Sequence, residues 1–416
     1  MQNDDYFPLP EWAGGWRTEN PRVLGVDADL LRAAIDAHNQ DQTYTGHDGG
    51  ALLIIYRGHI IGETYVTGSR GGPQPWGHST CNDMKSSTKS VFGTAVGVFL
   101  EEYDDQVNLE TLLVGETKED SLIPQIWDQP LTDDRKRRIK VKHALSMTSG
   151  HESREPWLAP SKRMHATGYT GPFQMFEYCF GWWRFEGIAD HHTLMFDPGS
   201  DFNYSNFGLE MVALAMRNIS GQEVGPYLYD RVLEPIGMPP GIRDNAYVEM
   251  PYSDDQELNF ASEPGWGRGG SEGCNAYGAD RSLSSYGYNS IVGSTFRCSP
   301  RDFARLGYLW LRGGRWANRQ LVSAAWIRQA TSRYVRDDGS TPAGYGYTFW
   351  IMDEWDGVPA DLFMARGHNM NHCYVIPSLD LVVVRQGNES RPGRGASMFA
   401  HRVIRDIVAA LPESGN

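Results

Sequence analysis

The sequence predicts an α/β plus all-α fold, in which an antiparallel sheet built from both chain ends is flanked by helices around an inserted helical region. Three observations predict it. Ala51 to Tyr65 reads as two strands, ALLIIY and IIGETY, joined by a tight Arg57-Gly58 turn, a hairpin signature. Asn371–Ile376 and Leu379–Arg385 read as strands near the other end. The stretch from about 104 to 245 carries apolar residues mainly at helical spacing.

Taken in order, residues 1–25 are rich in Pro, Gly and Trp and read as an irregular arm. Ala28 to His38 then places Leu30, Leu31, Ala34 and Ile35 at helical spacing. From Ser87 to Tyr103, Val91, Phe92, Ala95, Val98 and Phe99 follow the rhythm of one buried helix face, so Ser86 stands at a helix start. Phe207–Asn218 repeats the pattern with Leu209, Val212, Ala213 and Met216. Tyr345–Met352 reads as a strand and Met398–Leu411 as a closing helix. The division expected is an arm at 1–25, an α/β region from 26–85 and 290–416, and a mainly helical region at 86–289. Two long connections, 151–200 with its many aromatics and the Gly- and Ser-rich 262–294, are of the kind that carries function.

Bulk properties narrow the function. A chain of 416 residues with 40% hydrophobic and 12% aromatic content is long enough to bury a large core. The formal charge of −14 argues against general affinity for nucleic acid or an anionic membrane, since both need a basic face. The mixed-sign run from Asp133 to Arg138 reads as a solvated loop or helix face. Cys81, Cys179, Cys274, Cys298 and Cys373 are scattered without C-x-x-C spacing, which indicates neither a zinc site nor a disulfide framework. No signal-peptide pattern opens the chain and no apolar run reaches a membrane span, so a soluble protein is expected with its compartment open.

The chemistry centres on Ser86 and Lys89, three residues apart at the helix start, which brings hydroxyl and amine to one face. A serine hydroxyl is a weak nucleophile until a base takes its proton, and a desolvated lysine can be that base. The helix dipole there also disfavours the ammonium form. Among the seven lysines, Lys89 alone follows a serine at this spacing; the plainer reading is a capping serine beside an exposed lysine. Tyr204-Ser205-Asn206 is the one Tyr-x-Asn in the chain, on a short stretch between Pro198-Gly199 and an apolar helix. Tyr204 there can relay a proton, and Asn206 can hydrogen-bond the lysine or a substrate.

These two motifs, with ALSMTSG at 144–150, FDPGSDFNYSNFG at 196–208, LEPIGM at 233–238, SPRDFARLGYLWLRGG at 299–314 and YVIPSLDLVVV at 374–384, resemble the serine hydrolases of class C β-lactamase fold. That family includes penicillin-binding peptidases, carboxylesterases and amide hydrolases, and the resemblance covers about 22–410. It implies a β-lactamase/transpeptidase-like fold and an acyl-enzyme on Ser86. It also implies a third motif, Lys-Thr-Gly or His-x-Gly, matched here by His368-Asn369-Met370 after Arg366-Gly367, with Met370 where glycine is expected. No lysine follows Lys162, so His368 or Arg366 would meet a substrate carboxylate. The oxyanion hole carried over from the family is the backbone N–H of Ser86 and of Asn371.

Rival motifs fail on context. Gly269 to Gly273 matches G-x-S-x-G around Ser271, but PGWGRGG precedes it where an apolar strand is needed. His191-His192 has no metal-ligand spacing, and no Walker A sequence exists. The expectation is a serine hydrolase needing no metal or organic cofactor, with a small ester or amide as its partner. The missing C-terminal lysine lowers the case for β-lactamase or peptidase action, and the aromatic loop around Trp182 and Trp183 suggests a pocket for an apolar group. A carboxylesterase comes first; amidase or peptidase action, acyl transfer, or a silent binding protein of the same fold are the alternatives.

Overall fold

A computed structural model describes residues 6–40, 49–67, 76–128, 131–152, 193–240, 268–269, 289–290, 292–293, 296–387 and 395–412. The hairpin forms β1 (Gly49–Tyr56) and β2 (His59–Thr67). Arg57 at φ 48° and Gly58 at φ 74° supply the two left-handed residues that a two-residue hairpin turn matched to strand twist requires. The C-terminal part contributes β3 (Trp350–Ile351), β4 (Phe363–Gly367), β5 (Asn371–Ile376) and β6 (Leu381–Gly387). Sheet order is β2-β1-β6-β5-β4-β3, with every neighbour antiparallel. The two chain ends therefore meet at β1 and β6, where Leu53 lies opposite Val384.

Helices cover both faces. Helix α1 (Ala28–Gln40) and the closing helix α5 (Gly395–Ala409) pack through Leu31, Ala34, Ile404 and Ile407 on Leu52, Ile54 and Val383. On the other face, α2 (Thr88–Glu102) and α4 (Pro300–Leu311) bring Val91, Phe92, Phe303 and Leu306 to Leu53, Ile55, Val382 and Val384. A sheet buried on both sides needs apolar residues at successive positions, which is why ALLIIY and LVVV are continuous runs.

Helix α2 differs from the expected one-sided burial. Every residue from Thr88 to Phe99 is buried, so this is a central helix enclosed all round. Gly93 and Gly97 permit that enclosure: a Cβ at Gly93 would fall 1.9 Å from Thr348 Oγ1, and one at Gly97 would fall 2.1 Å from Trp326 Cδ1. Helix α3 (Phe207–Ser220) forms as its spacing predicts and is buried from Phe207 to Met216.

Three further expectations are corrected. The strand expected over Tyr345–Met352 shrinks to Trp350–Ile351, because the chain turns there: Gly346 N–H donates to Phe349 O and Thr348 takes φ 67°. Strand β4 was not expected at all. The charge run forms a 3-10 turn over Asp134–Arg138, and within it Lys136 is buried rather than solvated. No helix among the described residues is long and apolar enough to cross a membrane.

Candidate active site

Ser86 sits in a 3-10 turn, Lys85–Ser87, that leads directly into α2. The turn is fastened from several sides. Lys85 takes φ 50°, Thr88 Oγ1 donates to Lys85 O at 2.6 Å, and Ser87 Oγ donates to Asn371 O at 2.5 Å. Lys89, one turn on, is 1% exposed. Its Nζ donates to Ser86 Oγ at 3.1 Å and to Gly293 O at 2.6 Å. A buried amine touching a serine hydroxyl is the arrangement a nucleophile and its base require.

Tyr204 closes the other side. Lys89 Nζ stands 4.8 Å from the centroid of its ring. The ring is held by an aromatic wall, with Trp350 at 5.5 Å and Tyr345 edge-on at 6.0 Å between centroids. Tyr345 is fully buried, and that burial, with the neighbouring Tyr204, keeps its phenol protonated well above the usual range. Asn206 is buried as well, but the lysine donates to Gly293 O instead of to its amide. The Asn206 amide packs against Gly293, where a Cβ would lie 2.5 Å from Asn206 Cγ, so only glycine fits.

The third motif forms the tight connection between β4 and β5. Arg366 at the end of β4 is half-buried, its guanidinium carbon 5.4 Å from the Trp350 ring centroid. His368 is exposed at its edge, while burial beneath it and the charge of Lys85 lower its pKa. Asn369 and Met370 take φ 58° and 60°. Met370 thus occupies the left-handed backbone that glycine adopts without penalty, and the buried Arg385 secures the turn by donating to Asn369 O at 2.6 Å.

Asn371 does not present its backbone N–H to the site, which corrects the oxyanion expectation. That N–H donates to His368 O inside the turn. Its side chain is equally committed: Oδ1 accepts from Asn82 Nδ2 at 2.8 Å and Gly387 N–H at 3.0 Å, and Nδ2 donates to His368 O at 2.9 Å. Asn371 is a buried tie between the turn that carries Ser86 and the sheet.

With this geometry in view, the sequence matches the family model described as Beta-lactamase over residues 31–404. The chain belongs to the beta-lactamase family. As a beta-lactamase-family protein, it shares its fold with solved structures of low identity. One is assigned as a 6-aminohexanoate-dimer hydrolase from Bacillus anthracis, with TM-score 0.59 and 15% identity over 97% of this chain and 90% of that one. A penicillin-binding protein homologue from Caulobacter crescentus gives TM-score 0.58 and 17% identity over 92% and 98%. A family VIII carboxylesterase gives 0.56 and 17% over 92% and 98%. No curated protein matches.

In this beta-lactamase-family site, then, Ser86, Lys89 and Tyr204 come together, Asn206 packs on the Gly293 that meets Lys89, and Arg366 flanks Tyr204 through Trp350. Trp182, Trp183, Ser271, His191 and His192 lie outside the described residues. Sequence reasoning missed Gly293, whose contribution is a carbonyl without a side-chain signature. It also missed Glu210, although an acid inside the apolar run FGLEMVALAM was a readable sign. Among the described residues, no group of three or more His, Cys, Asp and Glu could hold a metal.

Proposed function

We propose that this protein is a serine hydrolase that cleaves carboxylic esters through an acyl-enzyme on Ser86. The observation that carries the proposal is the 3.1 Å contact between Ser86 Oγ and the buried Lys89 Nζ. In the neutral form, Lys89 takes the hydroxyl proton as Oγ attacks the ester carbonyl. The Tyr204 hydroxyl passes a proton to the departing alkoxide, and water attacks the acyl-enzyme by the reverse path. The developing oxyanion is held by the Ser86 N–H and, with Asn371 committed, by the backbone N–H of His368, the residue just after β4. Support for that second donor is the close approach of this strand end to the nucleophile's turn. A Cβ on Gly367 would fall 2.1 Å from Met84 O.

Amide hydrolysis is the second reading, since the same acyl chemistry serves both bonds and Arg366 offers a cation beside Trp350 for a substrate carboxylate. Intact-protein mass spectrometry after fluorophosphonate treatment, with turnover of a short p-nitrophenyl ester, tests the proposal. One adduct and ester turnover, both abolished in Ser86→Ala, are expected. Labelling that survives in Ser86→Ala would overturn it.

A further inference from the structure

Glu210 stands in α3 between Leu209 and Met211 and is 3% exposed. A carboxyl group withdrawn from water is costly unless hydrogen bonds replace its hydration. Here Oε1 accepts from the backbone N–H of Val292 at 3.0 Å and of Gly293 at 3.2 Å. The residue so held, Gly293, is the one whose carbonyl accepts from Lys89 Nζ at 2.6 Å. Its Cα is also pressed against the Asn206 amide, so the segment is fixed from two sides by the helix that begins just after Tyr204.

We infer that Glu210 is a positioning residue for the Ser86–Lys89 pair: by holding Gly293 it fixes where the lysine Nζ stands between Ser86 Oγ and the Tyr204 ring. A lysine side chain has a long, rotatable stem, and the Gly293 carbonyl is its shortest contact. Without that acceptor, Nζ is left with the Ser86 hydroxyl and the Tyr204 ring, two contacts about which the long side chain can swing. Displacement of a reacting group by about 1 Å costs up to roughly 100-fold in rate.

The inference rests on Lys89 acting as the base, and the experiment separates the two. Glu210→Ala, Glu210→Asp, Glu210→Gln and Lys89→Ala are compared with wild type in ester hydrolysis, in the rate of fluorophosphonate labelling, and in thermal melting. Glu210→Gln retains an oxygen where Oε1 stands, whereas Glu210→Ala removes it. Glu210→Asp draws the oxygen back by one methylene and gives a folded test case should Glu210→Ala not fold.

Glu210→Ala is expected to lower kcat and the labelling rate by roughly tenfold or more with KM within about threefold. Glu210→Asp shows a smaller loss of the same kind, and Glu210→Gln, which keeps the oxygen, recovers most of kcat. Wild-type kcat in a folded Glu210→Ala or Glu210→Asp overturns the inference, as does a Glu210→Gln no better than Glu210→Ala. Wild-type labelling in Lys89→Ala would instead overturn the base assignment, and the inference with it.

Discussion

Ser87 Oγ donates to the backbone carbonyl of Asn371 at 2.5 Å, tying the turn that presents Ser86 to the first residue of a strand 284 positions away. Asn371 is fully buried, and its amide serves Asn82, Gly387 and His368 at once. Replacing it with leucine leaves at least two buried donors, Asn82 Nδ2 and Gly387 N–H, short of an acceptor. The Asn371→Leu variant is expected to lose about 3 kcal/mol of unfolding free energy in urea denaturation. A loss under about 1 kcal/mol would mean that the tie is redundant.

Arg366 predicts substrate choice. Its guanidinium lies over Trp350, which packs on Tyr204, so a substrate on Ser86 whose acyl chain extends past Tyr204 would meet this cation. Arg366→Leu is expected to reduce kcat/KM roughly tenfold for p-nitrophenyl esters whose acyl chain ends in a carboxylate, consistent with one charge-assisted hydrogen bond. Neutral acyl esters of the same length should change by less than about threefold. Equal losses on both would assign Arg366 to support of the aromatic wall.

Much of this was readable from local pattern. The β1-β2 hairpin follows from alternating and continuous apolar residues around two turn-forming positions, and Ser86, Lys89 and Tyr204 follow from short spacings. What was not readable depends on chain segments that meet only after folding. Tyr345, Tyr347 and Phe349 alternate as a strand would, yet Gly346 runs so close to Ala330 O, 2.1 Å from where a Cβ would stand, that the chain must turn instead. Gly293 acts through its carbonyl, and Asn371 carried the wrong role because its N–H was assigned before the turn that consumes it was known.

Acid should loosen the fold through buried histidines. Burial, with Lys142 and Lys140 nearby, lowers the pKa of His143 to about 4. Burial and Lys136 lower that of His151 to about 3, and burial with Arg366 and Arg385 holds His372 well below its usual value. An unfolded histidine protonates near pH 6.5, above all three, so the unfolded chain binds protons first as pH falls. The stability these residues contribute is whole above about pH 6.5 and is lost progressively below it. Asp302, raised to about 6 by burial, works in the opposite direction over part of that window but is one group against three. Urea denaturation is expected to show about 3 kcal/mol less stability at pH 5 than at pH 7. The His143→Gln, His151→Gln double variant should lose most of that dependence, since His372 is then nearly balanced by Asp302, and a wild type equally stable at both pH values would contradict the account.

The tight enclosure of α2 makes Gly97 a test of how the helix bearing Lys89 is held. A Cβ there would stand 2.1 Å from Trp326 Cδ1 and 2.4 Å from its Nε1. The indole cannot swing clear, because Nε1 donates to Gly93 O at 2.9 Å and the ring stacks on Tyr347 with centroids 5.7 Å apart. Gly97→Ala must therefore shift backbone or break the indole bond, and overpacking of this kind costs about 1–3 kcal/mol despite the better helix propensity of alanine. The collision lies two turns beyond Lys89, so folded Gly97→Ala should still accept one fluorophosphonate on Ser86 while melting earlier than wild type. Melting at or above the wild-type temperature would show that α2 is free to move away from Trp326.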